Sequence, residues 1–186
     1  MNKDINNAYL ELIIGPMFSG KTSKLLEIYK QYTFCNTSVL VINHADDKRY
    51  HQELLSTHDK VMIPCYSANK ISDLITEENL KKYPVILINE GQFFDDLLHC
   101  VKELVEVHNK IVYVCGLDGD FKRNKFGTLL DLIPFADNVV KLNSLCFICR
   151  DGTKAPFTTR TSSECQQKVI GSDNYIPLCR KCYLSK

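Results

Sequence analysis

A chain of 186 residues with 45% hydrophobic side chains is long enough to bury one full core, or a core with a small appendage, and too apolar to remain disordered. Its 23 basic and 22 acidic residues are scattered and leave a formal charge of +1, which counts against a polynucleotide partner and against an anionic membrane surface. No apolar run approaches the ~18 residues of a membrane span, and Met1 to Asn7 holds no apolar signal core, so the expected address is the cytosol.

Tyr9-Leu10-Glu11-Leu12-Ile13-Ile14 predicts a strand that runs into Gly15-Pro16-Met17-Phe18-Ser19-Gly20-Lys21-Thr22. This stretch fits G-x-x-x-x-G-K-[ST], the phosphate-binding loop, in the strand-then-helix context the motif requires. Glycines at 15 and 20 let successive N–H groups converge on phosphate oxygens at a helix N-terminus, where the dipole favours an anion. Lys21 would reach the β- and γ-phosphates, and the Thr22 hydroxyl would ligate Mg²⁺. A chance match in a chain of this size is on the order of 1%; the alternative is a glycine-rich turn with no ligand.

Leu25, Leu26, Ile28, Tyr29 and Tyr32 recur at helical spacing, and Val39-Leu40-Val41-Ile42 predicts the next strand. From Asn43 to Lys60 the chain is polar without sustained periodicity, the mark of a long functional or mobile loop. Val61-Met62-Ile63 allows a short strand, and Ile71, Leu74, Ile75 and Leu80 predict a helix that Tyr83-Pro84 stops. Val85-Ile86-Leu87-Ile88 has the continuous apolar character of a strand buried on both faces. Leu97, Val101, Leu104, Val105 and His108 form a stripe of period 3.6, and Ile111-Val112-Tyr113-Val114-Cys115 predicts another buried strand. Strands alternating with helices imply an α/β fold with a parallel sheet flanked by helices. Ligands in such sheets bind beyond the carboxyl ends of the strands, so residues 15–22, 89–92 and 116–121 should share one crevice.

Past Leu142 the composition changes, dividing the chain into a phosphate-loop domain at 1–142 and a small C-terminal unit at 143–186. Cys146-Phe147-Ile148-Cys149 and Cys179-Arg180-Lys181-Cys182 are paired C-x-x-C knuckles, with 29 residues between them. Four thiolates so arranged are the usual closed, structural Zn²⁺ site; disulfides or a redox C-x-x-C are the alternatives. The remaining five cysteines (Cys35, Cys65, Cys100, Cys115, Cys165) have no regular spacing and read as ordinary thiols. Glu90 follows a buried strand beside the phosphate loop, a place for the carboxylate that takes a nucleophile's proton, with Gln92 as a polar partner. Position alone leaves that role and a solvated turn residue equally open.

The combination of Gly-Pro-Met-Phe-Ser-Gly-Lys-Thr at 15–22, Glu-Gly-Gln-Phe-Phe at 90–94, Leu-Asp-Gly-Asp-Phe at 117–121 and Cys-Arg-Lys-Cys-Tyr at 179–183 resembles the type II thymidine kinases, and the likeness runs from Leu10 to Tyr183. The short length is most like that of the poxvirus members. The resemblance implies transfer of the γ-phosphoryl group of ATP to the 5′-hydroxyl of deoxythymidine, with Mg²⁺ and a structural Zn²⁺. Gly15, Pro16, Met17, Phe18, Ser19, Gly20, Lys21 and Thr22 would bind ATP, joined by Asp47, Arg49, Asn89 and Gln92. Glu90 would be the general base. Met17, Leu117, Phe121 and Phe126 would line the nucleoside pocket, where aromatics on sequence grounds alone would pass for core. The segment between the knuckles is similar to the family's lasso, which closes over the nucleoside: Lys168, Val169, Ile170, Gly171 and Tyr175 fall on it, and Thr158 would face the base. The resemblance also implies a homotetramer and feedback inhibition by dTTP.

Two departures stand out. Asn89 occupies the place where the family has Asp, which removes a negative charge near the metal and implies metal affinity or turnover that is reduced, not abolished, since Thr22 and the phosphates remain as ligands. The lasso at 170–175 is one residue shorter than the common double-glycine form, and about two residues are inserted between Cys149 and Phe157, so the register there is open by a residue or two. Two other readings remain on sequence grounds: a nucleotide-driven switch or nucleic-acid ATPase with a zinc-ribbon module, and a catalytically dead relative. The first would carry basic and aromatic residues crowded at the knuckles. The second sits badly with Lys21, Thr22 and Glu90 all present.

Overall fold

Short runs of β-branched and leucine residues that are apolar on both faces must be covered twice, and the sheet meets that demand. In the computed structural model, which describes residues 8–46, 54–56, 62–168, 171 and 173–186, a six-stranded parallel sheet carries the fold. Its strands are β1 (Tyr9–Ile14), β2 (Val39–His44), β5 (Tyr66–Ala68), β6 (Val85–Ile88), β7 (Ile111–Gly116) and β8 (Asn138–Lys141), in the order β5-β2-β6-β7-β1-β8. The period-2 alternation of a strand sorts the side chains. Leu10, Leu12, Leu40, Ile42, Ile86, Ile88, Val112 and Val114 pack on one face with Leu97, Val101 and Leu104 of the helix at α3 (Leu97–Lys102) and the turn beyond it. Ile13, Val41, Val85, Leu87, Ile111 and Cys115 pack on the other face with Leu25, Leu26 and Ile28 of α1 (Lys21–Phe34). Every residue of β6 is buried, as its unbroken apolar run requires.

The structure departs from the sequence reading in several places. The helix expected over residues 71–82 is two pieces, a 3₁₀ turn at Ser72–Leu74 and α2 (Glu77–Lys82). Ile75 leaves the helical region (φ −82°, ψ 73°), and Thr76 restarts it as an N-cap, its hydroxyl accepting the Asn79 N–H at 3.2 Å. The first piece is pinned from afar: the Asp96 carboxylate accepts the Ile71 and Ser72 N–H groups at 3.2 and 3.0 Å. The helix after Leu97 switches to a π-turn over Glu103–Val107. The long polar segment is not all loop, because β3 (Leu54–Ser56) pairs antiparallel with β4 (Met62–Pro64), while Val61 lies outside the described residues. The short edge strands β5 and β8 were not expected from periodicity.

Beyond β8, the antiparallel pairs β9 (Ser144–Leu145) with β10 (Lys154–Ala155) and β11 (Phe157–Arg160) with β12 (Tyr175–Leu178) build the C-terminal unit, which ends in α4 (Arg180–Leu184). Its small core of Cys146, Ala155, Leu178 and Cys179 is separate from the two sheet cores.

Candidate active site

The carboxyl ends of β1, β2, β6 and β7 converge on one polar cluster. At the end of β1, Gly15 has φ +152°, and a side chain there would meet the Leu142 carbonyl oxygen at 2.6 Å. Only glycine fits, so the loop and the chain leaving β8 lie against each other. Gly20 (φ +84°) opens α1 without a side-chain cap, which leaves the first N–H groups of a 14-residue helix to an anion. Lys21, only 9% exposed, donates from Nζ to the Pro16 carbonyl at 2.7 Å, and the Ser19 hydroxyl donates to the same oxygen at 2.8 Å.

β6 is not adjacent to β1; β7 lies between them, so Glu90 is one strand farther from the phosphate loop than sequence position implied. Side chains span the gap. The Thr22 hydroxyl lies 3.5 Å from Asn89 Oδ1, which also receives the Cys115 thiol at 2.9 Å, while Asn89 Nδ2 donates to Asn43 Oδ1 at 2.8 Å. Asn89 and Asn43 are buried, so this network has little water to fall back on and must satisfy itself.

Glu90 sits in the left-handed region (φ 55°, ψ 41°), a conformation costing about 1 kcal/mol or more for a residue with a Cβ. It is held there by a brace: Gln92 Nε2 donates to Glu90 Oε2 at 2.7 Å, and Gln92 Oε1 accepts the Leu117 N–H at 2.9 Å. The brace ties the turn after β6 to the turn after β7. A nine-tenths-buried carboxylate on a strained, braced turn at the carboxyl edge of the sheet has the placement of a general base.

The predicted nucleoside residues divide. Thr158 Oγ1 accepts the Met17 N–H at 2.9 Å, so the C-terminal unit touches the phosphate loop directly. Phe126 packs edge-on against Phe93 with centroids 5.4 Å apart, and Lys168 lies over the same Phe93 ring at 4.6 Å. Lys168 also pairs with Asp46 at the end of β2. Phe121 and Tyr175 both stack on Arg160. Gly171 has φ +124°, closed to most side chains. Asp47, Arg49, Val169 and Ile170 lie outside the described residues. A cavity of about 350 Å³ opens between the sheet and the C-terminal unit, lined by Asp118, Asp120, Arg123, Lys141 and Phe157; of the predicted nucleoside residues only Thr158 borders it.

Sequence reasoning missed Asn43, His44, Cys115, Phe93, Asp120 and Arg160. The first three were legible in principle, since each ends an apolar strand on the side where α/β sheets bind ligands. His44 is buried against Phe93 and Phe94, at 5.6 and 4.8 Å between centroids. Asp120 and Arg160 gave no such signal, because neither ends an apolar run and the contacts that tie them to the site, Asp120 to Gln167 and Arg160 to Phe121, span about 40 residues or more.

The four knuckle cysteines come together as expected. Their Sγ atoms all lie within 4.8 Å of one another, with Cys149 3.5 Å from Cys182 and 3.8 Å from Cys179. A tetrahedral site with Zn–S bonds of about 2.3 Å has edges of about 3.8 Å, so the donor set fits Zn²⁺. Burial opposes ionisation of Cys146, but main-chain N–H groups from Cys149, Cys179 and Ile148 outweigh it and bring the thiol down to about 6. Cys149, facing the sulfurs of Cys182, Cys146 and Cys179, is pushed up to about 12. A cluster that resists carrying several thiolates at once calls for a cation. Among the described residues no helix is long and apolar enough to cross a membrane.

Comparison with known proteins agrees with this geometry. A family model described as thymidine kinase matches residues 8–183. A thymidine kinase of Oryza sativa subsp. japonica is 42% identical over 180 residues, covering 94% of this chain and 66% of the rice protein. Thymidine kinase a of Arabidopsis thaliana is 39% identical over 180 residues (95% of this chain, 75% of the relative), and the Variola virus thymidine kinase 38% over 181 residues (97% and 99%). The chain therefore spans about two thirds of the rice relative and nearly all of the viral one. A match this continuous, through both the sheet and the cysteine unit, means that the chain belongs to the thymidine kinase family.

Proposed function

We propose that the chain transfers the γ-phosphoryl group of ATP to the 5′-hydroxyl of deoxythymidine, giving dTMP and ADP. The observation that carries this reading is the meeting of the phosphate loop with the Glu90 turn through Thr22 and Asn89, 3.5 Å apart, at the carboxyl edge of a parallel sheet. Gly15 to Thr22 cradle the triphosphate, with Lys21 neutralising developing charge, and Asp47, Arg49 and Gln92 complete the ATP side. Thr22 would hold Mg²⁺ together with phosphate oxygens, and the ion would supply charge neutralisation at the transferring group. The Glu90 carboxylate takes the proton from the 5′-hydroxyl as its oxygen bonds to the γ-phosphorus and the bond to ADP breaks. Met17, Leu117, Phe121, Phe126 and Thr158 bound the nucleoside. The lasso from Lys168 through Val169, Ile170 and Gly171 to Tyr175 covers it, anchored by Zn²⁺ on Cys146, Cys149, Cys179 and Cys182.

The separate cysteine core supports a division into residues 1–142 and 143–186. None of the nine cysteines forms a disulfide, in keeping with a reducing, cytosolic compartment. A homotetramer and inhibition by dTTP follow from the family resemblance alone. The test is purified protein with ATP, Mg²⁺ and a panel of deoxynucleosides, scored for 5′-monophosphate. We expect dTMP, and a loss of about 10²- to 10⁴-fold in kcat for Glu90→Gln with the fold intact. Phosphate release without labelled nucleoside, or full activity in Glu90→Gln, overturns the reading.

A further inference from the structure

Arg160 ends β11 directly opposite Tyr175, the first residue of β12, so it stands at the neck of the 161–174 loop. It is 6% exposed, and its two terminal nitrogens are spent on the loop and on Tyr175, while its buried Nε has no hydrogen-bond partner. One terminal nitrogen donates to the Glu164 carbonyl at 2.8 Å and to the Gln166 carbonyl; the other donates to the Gln167 carbonyl at 3.1 Å and the Tyr175 hydroxyl at 2.6 Å. The same group lies 3.9 Å over the Phe121 ring and 5.1 Å from the Tyr175 ring. Gln167, whose carbonyl Arg160 holds, reaches across with Nε2 to the Asp120 carboxylate at 2.9 Å.

The geometry points to Arg160 as a positioning residue that shapes the lasso for the nucleoside without touching it. Three carbonyls drawn to one buried cation bend 164–167 inward over Phe121, and the guanidinium is the only side-chain group with a planar fork of donors that can serve them and two aromatic faces together. The zinc knuckles hold the far ends of this unit, whereas Arg160 couples its near end to Phe121 and Tyr175. Because the gathered loop is formed before ligand arrives, ordering it adds little to the cost of binding. This inference rests on the proposed role of the lasso over deoxythymidine, and the test separates the two.

The experiment compares the full-length wild type with Arg160→Lys and Tyr175→Phe, each carrying its normal zinc. Arg160→Lys keeps the charge and loses the fork, and Tyr175→Phe loses one acceptor while keeping the ring. The readouts are KM for deoxythymidine and for ATP, kcat, and the rate at which trypsin cuts within 161–174 with and without deoxythymidine. We expect KM for deoxythymidine to rise about tenfold or more in Arg160→Lys and less in Tyr175→Phe, with KM for ATP within about twofold and loop cleavage faster without nucleoside. Should Arg160→Lys fail to fold or to hold zinc, Tyr175→Phe carries the comparison. Wild-type cleavage that deoxythymidine does not slow sinks the lasso reading; protection in the wild type with both variants kinetically unchanged, or with both KM values rising equally, sinks the assignment of Arg160.

Discussion

Gly116→Ala tests the brace behind Glu90 most sharply. Gly116 has ordinary backbone angles, so any effect comes from space and not from conformational strain. An added Cβ would lie 2.3 Å from Gln92 Oε1, 2.8 Å from Leu129 Cδ2 and 3.2 Å from the Gly91 nitrogen. To reach even the 3.0 Å of the tightest ordinary contacts, the Gln92 amide must retreat by about 0.7 Å or more. It cannot do so and keep both partners, the Leu117 N–H at 2.9 Å and Glu90 Oε2 at 2.7 Å. Overpacking costs about 1–3 kcal/mol, and a buried N–H left without its acceptor about as much again, for a total near 2–6 kcal/mol. In a chain of this size that lowers Tm by roughly 4–24 °C. On the proposal that Glu90 is the base, a displacement of up to 1 Å loses on the order of 10²-fold in rate, so kcat should fall about 10- to 100-fold while both KM values stay within a few fold. The assay is steady-state kinetics well below the variant's own Tm, beside a thermal melt. Gly152→Ala is the strain-only comparison, because its Cβ meets nothing within 4 Å while its φ of +89° disfavours a side chain, so it should lose stability and keep kcat. A folded Gly116→Ala enzyme with kcat within twofold of wild type refutes the claim that Gln92 positions Glu90.

Three other outcomes follow from the same structure. Asn89→Asp places an anionic oxygen where Asn89 Nδ2 now donates to Asn43 Oδ1, so the Asn43 amide must turn over; the Mg²⁺ concentration giving half-maximal rate should drop about tenfold while metal-free stability drops about 1–3 kcal/mol, and an unchanged Mg²⁺ titration contradicts it. Stripping zinc with a chelator, or Cys149→Ser, should raise KM for deoxythymidine and loosen 143–186 to proteolysis while the sheet remains folded, because the cysteine core is separate from the sheet cores; a single cooperative loss of the whole protein would count against this. Asp46→Asn removes the Lys168 partner, but both side chains are more than a third exposed, so KM for deoxythymidine should shift only about two- to fivefold at low salt and converge with wild type near 1 M salt. A salt-independent change would mean that Asp46 acts otherwise.

The elements legible in advance are those whose cause is local. The four long strands and α1 follow from periodicity within a dozen residues and stand where it placed them, and the two C-x-x-C pairs, each legible from its own spacing, meet in one cluster. The helix at 71–82 failed because Asp96, more than a dozen residues later in the chain, caps a separate 3₁₀ turn. β5 and β8 escaped notice because short edge strands carry little pattern of their own; β8 exists because Asn138 to Lys141 can pair with Glu11 to Ile14.

By itself, the sequence determined the chemistry on offer: a cradle for phosphates, one candidate base, four thiols for a metal, and a parallel sheet with a ligand edge. Tertiary structure decided how those pieces reach one another. It put β7 between the 15–22 loop and Glu90, bridged the gap with buried amides of Asn43 and Asn89, braced Glu90 through Gln92, and gathered the carbonyls of Glu164, Gln166 and Gln167 on Arg160. Local spacing encodes hydrogen-bonding groups and hydrophobic faces, but the order of strands in a sheet is settled only when every buried face and every buried polar atom must be satisfied at once.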